Sequence, residues 1–271
     1  MAAETPFFKG KPVVRHRRFG QGLRLIDDAF FWFVLIGFFA QLIDGTLGMA
    51  YGLFSTTALV AVGMPPAVAS ANVHVAELFT TAASGASHAK VRNVDWGLFR
   101  RLAVAGALGA LLGALLISFI HLDAARPLIA VYLFLMGVIV IRKAFIPPRA
   151  HKPVGKVRLL GFVGGFVDAA GGGGWGPVVV SNLIARGGAP NKMIGTVNLS
   201  EFVVTLAASL AFLAALGPSF GKAALGLLIG GLVAAPIAAM LVKRAPRRAL
   251  LVLVGAAICL TSLWSLITAL R

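Results

Sequence analysis

Several long stretches of this chain carry no charged residue at all. Residues 102–122, 202–221, 223–242 and 249–270 lack Asp, Glu, Lys and Arg, and each approaches the roughly 20 residues that a helix needs to cross a bilayer. Apolar residues run on without alternation through these stretches, which excludes the strands of a transmembrane β-barrel. A further apolar stretch, 29–43, leads into Asp44 and then into more apolar sequence. It lacks the small-residue cleavage site of a signal peptide and is predicted to stay as the first membrane segment. The predicted fold class is an all-α polytopic membrane protein with about 8–10 transmembrane segments.

The chain also resembles itself. When Asp44 is laid on Asp168, an offset of 124 residues, two long segments align without a gap. Gly48 then meets Gly172, Gly52 meets Gly176, Tyr51 meets Trp175, Pro66 meets Pro190, His74 meets Asn198, and Glu77 meets Glu201. Coincident Asp, Glu and Pro are rare between Ala- and Leu-rich helices, so the coincidence marks an internal repeat. The expected organisation is a basic N-terminal segment, 1–28, a first transmembrane repeat, 29–144, a basic linker, 145–156, and a second repeat, 157–271. Each repeat reads as an apolar helix ending in Asp, a glycine-rich break, a second apolar segment, a long helix carrying Glu, and two plain helices. Gly109-x-x-x-Gly113 and Gly226-x-x-x-Gly230 give the plain helices the small-residue spacing of close helix contacts in lipid.

Composition sharpens the picture. Hydrophobic residues make up 59% and charged residues 13% of the 271, against about 45–50% and about 25% in soluble domains. A net charge of +16 would point to nucleic acid in a soluble protein. Here the basic residues cluster between apolar runs, at Lys9–Arg24, Lys90–Arg101, Arg142–Arg158 and Lys243–Arg248, as the positive-inside rule arranges cytoplasmic loops. No nucleic-acid partner is expected. The N-terminus is expected in the cytoplasm, and a homo-oligomer is compatible with the sequence. The single cysteine, Cys259, excludes an internal disulfide.

Four of the nine acidic residues, Asp44, Glu77, Asp168 and Glu201, fall inside apolar segments as two pairs at the repeat offset. An acid at mid-bilayer costs about 2.5–3.5 kcal/mol on insertion scales, so a function is the expected reason for keeping four. The plainer alternative is that each carboxyl merely ties helices together. Gly171 to Gly174 cannot hold a helix against their backbone entropy, and non-helical backbone at that depth is tolerated where it lines a cavity. Broken helices whose free N–H groups face an anion are the usual site of secondary transporters. Gly45, Thr46 and Gly48 form the weaker counterpart in the first repeat.

His74 and Glu77 share one helical face, and Thr196, Asn198, Ser200 and Glu201 form a polar face in the second repeat. The predicted substrate contacts are therefore Gly45, Thr46, Gly48, His74, Gly171, Gly172, Gly173, Gly174, Thr196, Asn198 and Ser200, with Asp44, Glu77, Asp168 and Glu201 as proton carriers. His-x-x-Glu also suits a divalent metal, but the second repeat offers Asn198 in place of His, so no metal or other cofactor is expected. A cationic substrate would use the carboxyls directly, and an anionic one would use backbone dipoles and hydroxyls. An intramembrane enzyme built on His74 and Glu77 is a further alternative, although a single catalytic centre does not require a duplicated polar set.

The two glycine-rich breaks are each followed by a proline turn, Gly63-Met64-Pro65-Pro66 and Gly187-Gly188-Ala189-Pro190. After the turns come Ala71-Asn72-Val73-His74-Val75-Ala76-Glu77 and Gly195-Thr196-Val197-Asn198-Leu199-Ser200-Glu201. With the loop Lys90-Val91-Arg92-Asn93-Val94-Asp95-Trp96, these resemble the TauE/SafE sulfite exporter family over nearly the whole chain beyond about Phe30. The resemblance implies a bacterial inner-membrane permease for small sulfur-containing anions such as sulfite or organosulfonates, coupled to the proton gradient. Its site would lie at the bilayer midplane between the repeats.

Overall fold

The computed structural model describes residues 28–47, 49–145, 155–185, 190–218, 221–241 and 246–270, and every regular element among them is helical. In chain order these are α1 (Asp28–Leu47), α2 (Tyr51–Ala61), α3 (Pro66–Lys90), α4 (Trp96–Phe119), α5 (Leu122–Lys143) and α6 (Val157–Gly171). A π-helical turn, Gly176–Val180, runs into α7 (Ser181–Ala185), followed by α8 (Pro190–Leu216), α9 (Lys222–Leu241) and α10 (Arg247–Ala269). The basic segment 1–27, linker positions 146–154, Gly48, Arg186, Lys243 and Arg244 lie outside the described residues.

α4 shows how the sequence makes a membrane helix here. Asp95 starts it by accepting the Leu98 amide at 3.0 Å, which satisfies one of the free N–H groups of the first turn. Val104, Leu108, Leu112 and Leu116 recur every four residues and stand exposed in a row, the face such a helix turns to lipid. On the other side Gly109 and Gly113 lie so close to α6 that a Cβ would run into the carbonyls of Phe162 and Phe166. Gly230 of α9 meets the Val34 carbonyl of α1 in the same way. α4, α5, α8 and α10 are long and apolar enough to cross a membrane, and α2 and α9 add shorter apolar stretches. The protein is a polytopic, all-helical membrane protein.

The halves interlock. α1 packs on α9 and α6 on α4; α3 reaches α9 and α8 reaches α4; α3 lies on α8 and α5 on α10. α3 and α8 run antiparallel, with Gly85 against Leu199 and Gly195 against His88. So do α5 and α10, where Gly137 meets Cys259 and Gly255 meets Ile141.

Neither broken segment crosses the bundle. α1 begins beside the first turns of α9, where Gly226 touches Phe33, and α2 carries the chain from the break back to the start of α3. α6 begins beside α4, with Gly161 on Leu102, and the chain returns to that same end, where Thr196 of α8 meets Asp95. The basic residues that follow α3 and α5 therefore share one end of the bundle. Arg248 at the start of α10 is there as well, with its guanidinium 4.5 Å from the centre of the Phe145 ring. Counting each broken segment as a single crossing would separate Arg248 from the basic residues after α3 and α5, and a hairpin that turns back brings them together.

Candidate functional site

The two repeated aspartates do the same local work. Asp168, in the last turn of α6, accepts the Trp175 amide through Oδ1 at 2.9 Å. Asp44, near the end of α1, accepts the Tyr51 amide at 3.4 Å. Each carboxyl thus spans its break and takes a backbone N–H that no helical turn can satisfy.

The breaks meet each other. Gly172 and Gly173 adopt φ of +71° and +151°, a region where an L side chain crowds its own backbone. Gly52 stands against Gly173, whose Cα would lie 2.9 Å from a Cβ placed on Gly52. Gly176 stands against Met49, whose Cβ would likewise lie 2.9 Å from a Cβ at position 176. These contacts exchange under the 124-residue offset. The carbonyls freed by the second break are taken up locally: Thr56 Oγ1 donates to Gly172 O and Tyr132 OH to Gly173 O.

A cavity of about 260 Å³ opens where the breaks cross. Asp44, Glu77, Asp168 and Glu201 all line it, with Gly52, Gly173, Gly174, Gly176, Tyr51 and Trp175. α2 and the π-helical turn both present their N-terminal ends to this space, which is the favourable end for negative charge. Glu77 is only 5% exposed, and its Oε2 has no hydrogen-bond partner among the described residues. No Lys or Arg is among the lining residues. No group of three or more His, Cys, Asp or Glu among the described residues could hold a metal ion.

His74 lies behind this wall, fully buried, and does not line the cavity. Its Nδ1 is 2.8 Å from the Ser70 carbonyl and its Nε2 3.2 Å from Asp168 Oδ2. A carbonyl only accepts, so Nδ1 carries a proton, and the Nε2···Oδ2 contact needs one more on either partner. The His74 contact gives Asp168 a side-chain partner from α3.

The sulfite exporter TauE/SafE family model matches residues 33–265. The chain belongs to the TauE/SafE sulfite exporter family. A relative in Bacillus subtilis (strain 168), the probable membrane transporter protein YtnM, is 45% identical over 245 residues, covering 87% of this chain and 82% of its own. No solved structure matches the chain. Family and relative together make this a multi-pass membrane transporter.

Within that frame the geometry sorts the residues expected from sequence. Gly173, Gly174, Asn198 and the four acids converge on the cavity. Gly171, Gly172, His74, Thr196 and Ser200 do not line it. Gly172 turns its carbonyl to Thr56, Thr196 accepts the Asp95 amide at 2.8 Å, and Ser200 donates to the Thr196 carbonyl. Those polar atoms are taken up in holding helices. Gly45 and Thr46 close the last turn of α1, and Gly48 lies outside the described residues.

Sequence reading missed the tyrosines and one lysine. Tyr51 and Tyr132 are the only two tyrosines in the chain, a rarity that could have marked them. Tyr51 lines the cavity and donates to Leu227 O at 3.1 Å. Lys143 reads in sequence as part of a basic loop, yet its Nζ donates to Pro177 O and Ser181 Oγ at the π-helical turn. Nothing local in the sequence signals that contact across the fold.

Proposed function

We propose that this protein is a proton-coupled secondary transporter for small sulfur-containing anions such as sulfite or organosulfonates, with one site at the bilayer midplane between two inverted repeats. The observation that carries the reading is the convergence of four acids and both helix breaks on a single cavity. Its volume of about 260 Å³ matches roughly eight or nine waters at about 30 Å³ each, the scale of a small hydrated anion. An anion can share this space with Asp44, Glu77 and Glu201 only when they are neutral, because like charges in a low dielectric repel strongly. Protons then enter with the anion, while the positive end of the α2 dipole faces the same space. His74 is occupied on both ring nitrogens, which counts against an enzyme built on His74 and Glu77.

The experiment is flux in proteoliposomes of labelled sulfite, a labelled organosulfonate and a divalent cation, each with and without a pH gradient. Sulfur-anion flux that rises with an inward proton gradient supports the reading. Cation flux alone would replace it with a divalent-cation transporter or channel.

The common end of Lys90, Arg142 and Arg248 is proposed to face the cytoplasm of a bacterial inner membrane by the positive-inside rule. That places the Asp28 end of α1 on the opposite side, against the cytoplasmic N-terminus expected from sequence. Reporter fusions at the 91–94 loop and before Asp28 test the arrangement; reporters on the same side would overturn it.

A further inference from the structure

Under the 124-residue correspondence the cavity lining divides into two parts. Around the breaks it maps onto itself, since Asp44 and Asp168, Gly52 and Gly176, and Glu77 and Glu201 all line it. Beyond the glutamates it continues in one direction only, past Ser84 and His88 of α3 and Ile194 and Asn198 of α8, to the basic end of the bundle. The counterparts Ala208, Phe212, Ser70 and His74 do not line it, and none is more than 1% exposed.

The contacts on the two sides differ accordingly. On the lined side Asn198 Nδ2 donates to Ser84 Oγ at 2.8 Å, and His88 Nδ1 is buried without a hydrogen-bond partner among the described residues. On the other side the His74 and Phe212 rings lie with centroids 5.9 Å apart, and Ser70 Oγ donates to Ala169 O at 2.7 Å. Inverted repeats reach the second face of a membrane by exchanging their conformations, and packed helices switch between discrete arrangements instead of deforming smoothly.

We infer that α3 and α8 carry two symmetry-related doors to one central chamber, one lined by Ser84, His88 and Asn198 and open in this structure, the other shut by His74 packed on Phe212. Passage to the opposite side parts the His74–Phe212 contact while the path past Ser84, His88 and Asn198 closes. The second door is the more apolar, with Ala208 where the first has Ser84 and Phe212 where it has His88, so it holds water out until its side chains separate. The inference rests on the carrier reading proposed above.

The test replaces Cys259 with Ala, the only native cysteine, and introduces Ser84→Cys or Ala208→Cys as single reporters for a membrane-impermeant maleimide. In the otherwise unaltered protein Ser84→Cys is expected to react at least tenfold faster than Ala208→Cys. Phe212→His, which copies the residue of the open door into the closed one, is expected to raise the Ala208→Cys rate at least tenfold, from the face opposite to the one that reaches Ser84→Cys. His88→Phe is expected to slow Ser84→Cys. Phe212→Leu serves as the milder variant if Phe212→His does not elute as a single species. Equal reaction of the two reporters in the unaltered background, or an Ala208→Cys that stays silent in both Phe212 variants, would overturn the two doors. Labelling needs no substrate, so it can succeed where anion flux fails, and flux can persist where labelling refutes the doors.

Discussion

Asn72 and Thr196 hold the starts of each other's neighbouring helices. The Asn72 side chain, on α3, accepts the Ala224 amide at the start of α9 at 2.9 Å, and Thr196, 124 residues later on α8, accepts the Asp95 amide just before α4 at 2.8 Å. Each half thus ties down the helix entering beside it from the other half. Asn72→Ala and Thr196→Ala are each expected to cost about 1 kcal/mol, the usual worth of a helix cap. A fall of a few degrees in the thermal midpoint of the purified protein, with anion flux reduced less than twofold, is the check; abolished flux with unchanged midpoint would return Thr196 to the substrate contacts.

Glu77→Gln and Glu201→Gln should each lower proton-driven anion flux at least tenfold without changing expression. Both line the cavity, and Glu77 Oε2 is buried without a partner among the described residues. A structural acid would have found one, because an unsatisfied buried polar group costs about 1–3 kcal/mol. Wild-type flux in both variants would show that these carboxyls do not carry the coupling.

Gly173→Leu should give a monodisperse but inactive protein. Position 173 has φ of +151°, and a Cβ there would strike Gly52 and Leu53, forcing the crossed breaks apart. Gly155→Ala, with nothing among the described residues within 4 Å of the added carbon, is the control expected to behave as wild type. Size-exclusion profiles and flux measured side by side separate misfolding from loss of the cavity.

His74→Ala is expected to destabilise the protein by about 1–3 kcal/mol, because it leaves the Asp168 carboxyl short of one buried partner. Asn198→Ala, at the matched position, removes only a partly buried bond to Ser84 and should cost less. Thermal unfolding of the two variants decides it; equal losses would mean that the His74–Asp168 contact holds nothing that the Asn198–Ser84 contact does not.

Dissipating the pH difference across proteoliposomes at a constant anion gradient should lower sulfite uptake by the wild-type protein several-fold. Flux that follows the anion gradient alone would leave a uniporter or a channel.

Much of this protein was legible in one dimension. Uncharged runs of about 20 residues specify membrane helices, because no other open structure satisfies its backbone in lipid. Four acids in apolar sequence stood out because a charge inside a bilayer is costly, and all four line the cavity. Side-chain identity alone marked the helices and the acids, so no fold was needed to read them. The direction of the broken segments was different, since an Asp followed by glycines reads the same whether the chain goes on across the bilayer or turns back. Packing settled it, by seating α1 beside the start of α9 and α6 beside α4. The tasks of His74, Thr196 and Lys143 depend on partners 94, 101 and 34 residues away. Helical periodicity gives the face on which such a residue stands, and only the tertiary structure decides whether that face meets a cavity, an aspartate or a helix end.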